Sequence, residues 1–163
     1  MSTESKDKPL VVPIAPRHFA FALDFSECSR YALDWALAHL QINAHDKITL
    51  IHTIEKPQGT ISATANFDEL SEEQRAREKL KNYWSIIDKT YQSAAKQIEV
   101  EMLIEIGDPK EVLKEITAQD GMTMLIVGNH GKTGTHREMG SVSDFCLKNC
   151  SVPVVVVKEP IGK

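Results

Sequence analysis

Four glycines punctuate one short stretch of this chain, Gly128-Asn129-His130-Gly131-Lys132-Thr133-Gly134-Thr135-His136-Arg137-Glu138-Met139-Gly140-Ser141. Glycine accepts positive φ and lets backbone N–H groups close around an anion. The stretch follows an apolar run, Met122 to Val127, and leads through Gly140-Ser141 into a helical pattern. A helix N-terminus there would add unpaired N–H groups, partial positive charge and a hydroxyl. Lys132 and Arg137 supply cations nearby. The chemistry that suits this set is the holding of a phosphate. A surface turn closed by a Gly-Ser cap uses the same residues, and both readings stay open on these residues alone.

Other chemistries can be rejected by counting. Gly131-Lys132-Thr133 looks like the end of a P-loop, but the first glycine of that motif would fall at Ile126, inside the apolar run. A dinucleotide fingerprint should follow the first strand, where the sequence instead reads Asp24-Phe25-Ser26-Glu27-Cys28-Ser29, without glycine. His130, His136 and Glu138 have no nucleophile at a recognisable spacing and no G-x-S-x-G elbow, so no catalytic residue is assigned. The two histidines lie on a loop without fixed i, i+4 geometry or a clear third ligand, so no metal site is assigned to protein side chains.

The elements that must position this loop alternate along the sequence. Short runs rich in Ile, Val, Leu and Phe predict strands at His18 to Leu23, Lys47 to Ile54, Ile98 to Ile104, Met122 to Val127 and Pro153 to Lys158. Helical spacing fills the gaps. After a candidate N-cap at Ser26 come Ala32, Leu33, Ala36, Leu37 and Leu40 on one face. From Glu69 to Ala95 the apolar stripe is Leu80, Trp84, Ile87, Tyr91 and Ala94. Asp108-Pro109 opens a third helix with Val112, Leu113 and Ile116 inward, and a fourth starts near Ser141 with Val142, Phe145 and Cys146 inward. This order predicts one α/β fold, a doubly wound parallel sheet with helices on both faces. Such sheets bind ligands outside the carboxyl ends of their strands, where the strand order reverses. The loops after Leu23, after Thr53 and after Val127 are therefore the ones to inspect. The long connection from Glu55 to Phe67 has two readings, a mobile lid and a surface loop, with the surface loop ahead.

Composition sets the outer bounds. A sequence of 163 residues with 42% hydrophobic and 26% charged residues is sized for one soluble domain, expected over 17–160 behind a disordered leader, 1–16. Its net charge of -4 argues against a nucleic-acid surface. No apolar run approaches the roughly 18 residues of a membrane span, and Met1 to Pro9 is not a signal peptide, so a cytoplasmic location is expected. Cys28, Cys146 and Cys150 lack paired spacing and read as reduced thiols.

Several ordered motifs together resemble the universal stress protein family. They are Phe21-Ala22-Leu23-Asp24-Phe25-Ser26-Glu27 with Ala32-Leu33-Asp34-Trp35-Ala36, then Leu50-Ile51-His52-Thr53-Ile54, Gly107-Asp108-Pro109, and Leu125-Ile126-Val127-Gly128-Asn129-His130-Gly131. Gly140-Ser141-Val142-Ser143-Asp144 and Val152-Pro153-Val154-Val155-Val156-Val157 complete the set. The resemblance implies a five-stranded, Rossmann-like sheet of the adenine nucleotide α-hydrolase kind. It also implies a stress-response or signalling module that binds ATP, with Mg²⁺ or as AMP or another adenine nucleotide, and hydrolyses it slowly or not at all. Carried onto these positions, Ala22, Leu23 and Thr53 would line the adenine, and Asp24 would face the ribose. The second reading of Asp24 is a turn-forming residue that bonds its own backbone. Val127, Gly128, His130, Gly131, Gly140, Ser141 and Val142 would hold ribose and phosphates. Eight residues separate Gly131 from Gly140, where the family pattern has nine, so the phosphate loop is one residue short. The family also implies a homodimer through the last strand, Val152 to Lys158. The alternative is a dimeric interaction protein of the same fold that binds no nucleotide. Related nucleotide-dependent enzymes carry a Ser-Gly-Gly loop or an H-x-G-H motif, and this sequence has neither.

Overall fold

The computed structural model describes residues 15–43, 45–55, 69–90, 98–119, 121–130 and 139–160. Five strands, β1 (His18–Ala22), β2 (Lys47–Ile54), β3 (Glu99–Ile106), β4 (Met124–Gly128) and β5 (Val154–Val157), form one sheet in the order β3-β2-β1-β4-β5. Every neighbouring pair is parallel. Among the described residues four helices join them: α1 (Glu27–His39), α2 (Glu69–Thr90), α3 (Pro109–Thr117) and α4 (Ser141–Asn149). The predicted alternation is therefore the observed one, and the strand order reverses between β1 and β4.

Strand parity divides the core into two layers. Phe19, Phe21, Ile48, Leu50 and Ile126 face Ala32, Leu33 and Ala36 of α1 and Leu80 of α2. Ala20, Ile51, Leu125 and Val127 face Leu113 and Ile116 of α3 and Cys146 of α4. Each large side chain fully buried here contributes about 1.5–3 kcal/mol. Trp84 packs against the first layer as its spacing predicted. The side chain of Ile87, and Tyr91 and Ala94, lie outside the described residues, as do residues 1–14 of the expected leader and most of the Glu55 to Phe67 connection.

Two boundaries moved for a common reason. β3 runs to Ile106 because it pairs with the whole of β2, from Lys47↔Glu99 to Ile54↔Ile106. β4 begins at Met124 because Thr123 is engaged by His18: its N–H donates to the His18 carbonyl at 2.9 Å, and its hydroxyl accepts from His18 N–H at 2.9 Å. Partner strands set these ends, and side-chain patterning does not report them.

At the amino edge of the sheet the polar groups satisfy one another. Asp46 is buried and accepts from the Arg17 backbone N–H (2.9 Å), Arg17 Nε (3.2 Å), Arg17 Nη2 (2.6 Å) and Asn43 N–H (2.7 Å). Burial alone would raise its carboxyl, but the Arg17 guanidinium and these N–H donors outweigh it and hold the group below the usual range. Beside it, His18 Nε2 meets the buried Thr49 hydroxyl at 2.6 Å, and Lys47 pairs with Glu99 and Glu101 at 3.3 and 3.0 Å.

Candidate functional site

At the opposite, carboxyl edge, β1 ends in a tight local structure. Asp24 Oδ1 accepts from the Ser26 N–H at 3.0 Å and the Ser26 hydroxyl at 2.5 Å, which is an Asx turn. Ser26 in turn caps α1 by accepting from Ser29 N–H at 3.2 Å, as its position predicted. The turn-forming reading of Asp24 is thus realised, and it fixes the carboxylate at the exit of β1. Between the two, Phe25 adopts φ 63°, the left-handed region that bulky residues rarely enter. Its ring lies on His52 (4.2 Å between centroids) and Tyr83 (6.0 Å), with Lys79 Nζ 5.0 Å from its centre. His52 is held by its Nδ1, which donates to the Leu23 carbonyl at 2.6 Å.

The exit of β4 is pressed against the start of α1. A Cβ on Gly128 would stand 3.0 Å from the carbonyl carbon and oxygen of Cys28, so only glycine fits there without displacing backbone. The Gly128 carbonyl accepts from the Ser143 hydroxyl at 2.6 Å, and Gly140 N–H donates to the Asn129 carbonyl at 2.6 Å. These two bonds bring the backbone that left β4 back to the first turn of α4. There Gly140 occupies the N-cap position, and among the described residues no side group gives the helix start a capping hydrogen bond. Its first-turn N–H groups consequently have no partner supplied by a local cap. Ser141, exposed, stands at the first helical position.

Of the residues singled out on sequence, Ala22, Leu23 and Asp24 lie at the exit of β1, Thr53 near the end of β2, and Val127, Gly128 and His130 at the exit of β4. Gly140, Ser141 and Val142 start α4. Those at the exits of β1 and β4 border the reversal point between these strands, and Thr53 stands one strand further out, on β2. Gly131, with Lys132 to Glu138, lies outside the described residues. The ring of His130 is buried and turned inward, its Nε2 3.2 Å from Cys28 Sγ. Sequence reading missed that contact, because Cys28 and His130 stand 102 residues apart and no spacing rule joins them. It also missed a pocket of about 310 Å³ lined by Phe25, His52, Glu72, Arg75, Ala76 and Lys79. That pocket lies toward α2, away from α4, and no residue pattern marks it, because it forms around the positive φ of Phe25, which residue types do not report.

Among the described residues, no group of three or more His, Cys, Asp or Glu side chains is arranged to hold a metal ion, and no helix is long and apolar enough to cross a membrane. Cys28 and Cys146 are buried free thiols and Cys150 is a half-buried one.

Comparison with known proteins agrees with this architecture. Universal stress protein MJ0577 of Methanocaldococcus jannaschii is 27% identical over 152 residues, covering 85% of this chain and 92% of its own. The structure of MJ0577 superposes with a TM-score of 0.69 at 26% identity, covering 90% of this chain and 98% of that one. An Arabidopsis thaliana universal stress protein family member, At3g01520, solved with AMP bound, shares the fold at a TM-score of 0.59 and 20% identity, over 89% of this chain and 93% of its own. A universal stress protein in complex with cAMP shares it at 0.51 and 20%, over 86% and 95%. The model of the universal stress protein family matches residues 16–158, nearly the whole length. With the five-stranded parallel sheet, its reversal point and the glycine-flanked start of α4, this places the chain in the universal stress protein family.

Proposed function

We propose that this protein binds an adenine nucleotide, ATP foremost, across the exits of β1 and β4, and works as a nucleotide-responsive stress or signalling module with slow or no hydrolysis. The observation that carries the reading is the start of α4: an N-terminus without a side-chain cap among the described residues, reached through glycines, facing the reversal point of the sheet. The described residues fit such a ligand. Backbone N–H groups of Ser141 and Val142 and the Ser141 hydroxyl would take phosphate oxygens, together with Gly131. Asp24, Val127 and Gly128 would border the ribose, and Ala22, Leu23 and Thr53 the adenine. His130 would contribute its backbone, since its ring is committed to Cys28. A bound nucleotide would bring phosphates and, with them, Mg²⁺, an ion that keeps most of its waters. Relatives of the same fold described with AMP and cAMP lend support.

The assembly we propose is a homodimer through Val152 to Lys158. β5 is a short, β-branched edge strand with one hydrogen-bonded neighbour, and such edges invite pairing.

Calorimetric titration of ATP, with and without Mg²⁺, into the protein and into Gly131→Val tests the ligand. Saturable binding lost in a variant whose circular dichroism is unchanged supports phosphates on the β4–α4 loop. Absence of heat with ATP, AMP and cAMP overturns it and leaves the dimeric interaction protein as the better reading.

A further inference from the structure

The carboxyl edge holds a second chemical cluster that the nucleotide reading does not use. Cys28, at the second helical position of α1, is 4% exposed, and its Sγ lies 3.2 Å from His130 Nε2 and 3.3 Å from Glu159 Oε2. The three groups come from separate elements: the first turn of α1, the exit of β4 and the segment just beyond β5. Their relative positions are fixed by the tight seat of Gly128 on the Cys28 backbone and by the Asn129 N–H, which donates to the Val157 carbonyl at 2.9 Å.

The parts of this cluster oppose one another. A helix N-terminus and an adjacent imidazole both favour a thiolate, and this is how nucleophilic cysteines are activated. The carboxylate acts the other way, because it accepts the S–H proton and repels negative charge on sulfur. Among the described residues the charged groups that act on the thiol are Glu159 and Asp24, and the His130 ring lies against it. Burial first, then Glu159 and Asp24, push the Cys28 thiol up to about 11, against a smaller opposite pull from a hydrogen bond with the His130 backbone. Glu159 lies outside the sheet, half-buried between the exposed Lys158 and Pro160, so it can leave without any strand being unpaired.

We propose that Cys28 and His130 form a latent nucleophilic thiol site for hydrogen peroxide, held silent by the Glu159 carboxylate and released when the segment after β5 moves away. Once Glu159 withdraws, Cys28 passes its proton to His130. The thiolate sulfur then attacks one peroxide oxygen: the S–O bond forms, the O–O bond breaks, and the departing oxygen takes the proton from the imidazolium and leaves as water. Sulfur is oxidised by two electrons to the sulfenic acid, and the peroxide is reduced by two. A small oxidant suits a sulfur this deeply placed. The inference is independent of whether a nucleotide binds.

The test uses the full-length protein and Glu159→Gln. Cys28 is followed by peptide mass spectrometry, as sulfenic acid trapped with dimedone under hydrogen peroxide and as the alkylated thiol under iodoacetamide. The carboxamide keeps the size of the side group but loses its charge. Reaction at Cys28 near neutral pH should rise by about tenfold for each unit its titration midpoint falls, with Cys146 in the same molecule unchanged. Adding His130→Ala to Glu159→Gln should remove most of the gain. An unchanged Cys28 rate, or a faster one with the same pH midpoint and a parallel rise at Cys146, would overturn the proposal, because the second pattern reports local opening alone.

Discussion

The two edges of the sheet treat their polar groups in opposite ways. At the amino edge, a buried carboxylate receives four donors and a neighbouring histidine, threonine, lysine and two glutamates close on one another. The four described helices all begin at the carboxyl edge, and the three whose preceding residues are described differ among themselves. α1 is capped by Ser26 and α3 by Asp108, whose Oδ1 accepts from Lys110 N–H at 2.8 Å, with Pro109 opening the helix. α4 alone of these three starts on a glycine and goes uncapped. A cap satisfies donors that an anion would otherwise take. The amino edge thus serves stability, and among the described starts at the carboxyl edge α4 is the one without a side-chain cap, which is where the proposed ligand would find donors.

This contrast is broken most sharply by giving α4 the cap that α3 has. Gly140 sits at φ -66° and ψ 150°, a conformation any residue adopts, so Gly140→Asp should fold and supply its own cap. Stability should rise by a few tenths of a kcal/mol. Affinity for ATP should fall by about 100-fold, ~2.7 kcal/mol, because the new carboxylate both occupies the donors and repels phosphate at close range. Titration calorimetry beside urea unfolding reads both quantities. ATP affinity unchanged in this variant would show that the start of α4 is not where phosphates lie.

The mirror experiment is at the amino edge. Asp46→Asn should cost about 2 kcal/mol, since it leaves a partly buried Arg17 without its carboxylate, and should leave nucleotide affinity unaltered. Because the folded pKa of Asp46 lies below its unfolded value near 3.9, its contribution is fully present above that pH and is lost as pH falls through the folded pKa. The stability gap between wild type and Asp46→Asn should therefore be constant near neutrality and close in acid. Urea midpoints measured across that range would show it. A gap that widens on acidification contradicts the depressed carboxyl.

Much of this was legible in the sequence, and the reasons are local. Ser26 and Asp108-Pro109 announce helix starts because the cap chemistry lies within three residues of the backbone it serves, and Gly140-Ser141 marks its start by the glycine that precedes the helical pattern. The alternation of strands and helices fixes which loops gather at the reversal point, so the exits of β1 and β4 follow from element order alone. What stayed hidden depends on partners far apart in sequence. Asp46 meets Arg17 across 29 residues, and Cys28 meets Glu159 across 131. The left-handed backbone of Phe25, at a residue type that avoids it, sits inside the Asp24–Ser26 turn and goes with ring contacts to His52 and Tyr83 that no local pattern reports. Asp24 was visible as a candidate, but whether it bonds its own turn depends on a conformation that residue types alone do not specify.

The smallest effect asks whether an open helix start is enough. Asp108→Gly would leave α3 as bare as α4, and the loss of the cap should cost only a few tenths of a kcal/mol, because glycine is itself tolerated at that position. Nucleotide stoichiometry should stay at that of wild type, and free phosphate should bind no better. α3 is entered from the end of β3, an edge strand away from the reversal point, by Gly107 and one further residue, so no glycine loop returns to embrace an anion there. A second nucleotide per protomer in Asp108→Gly would mean that unpaired first-turn donors suffice by themselves. The unchanged stoichiometry expected here assigns the selectivity of the carboxyl edge to the combination that, among the described helix starts, α4 carries: a glycine-lined exit from β4, a backbone folded back onto it by Asn129 and Ser143, and no side-chain cap.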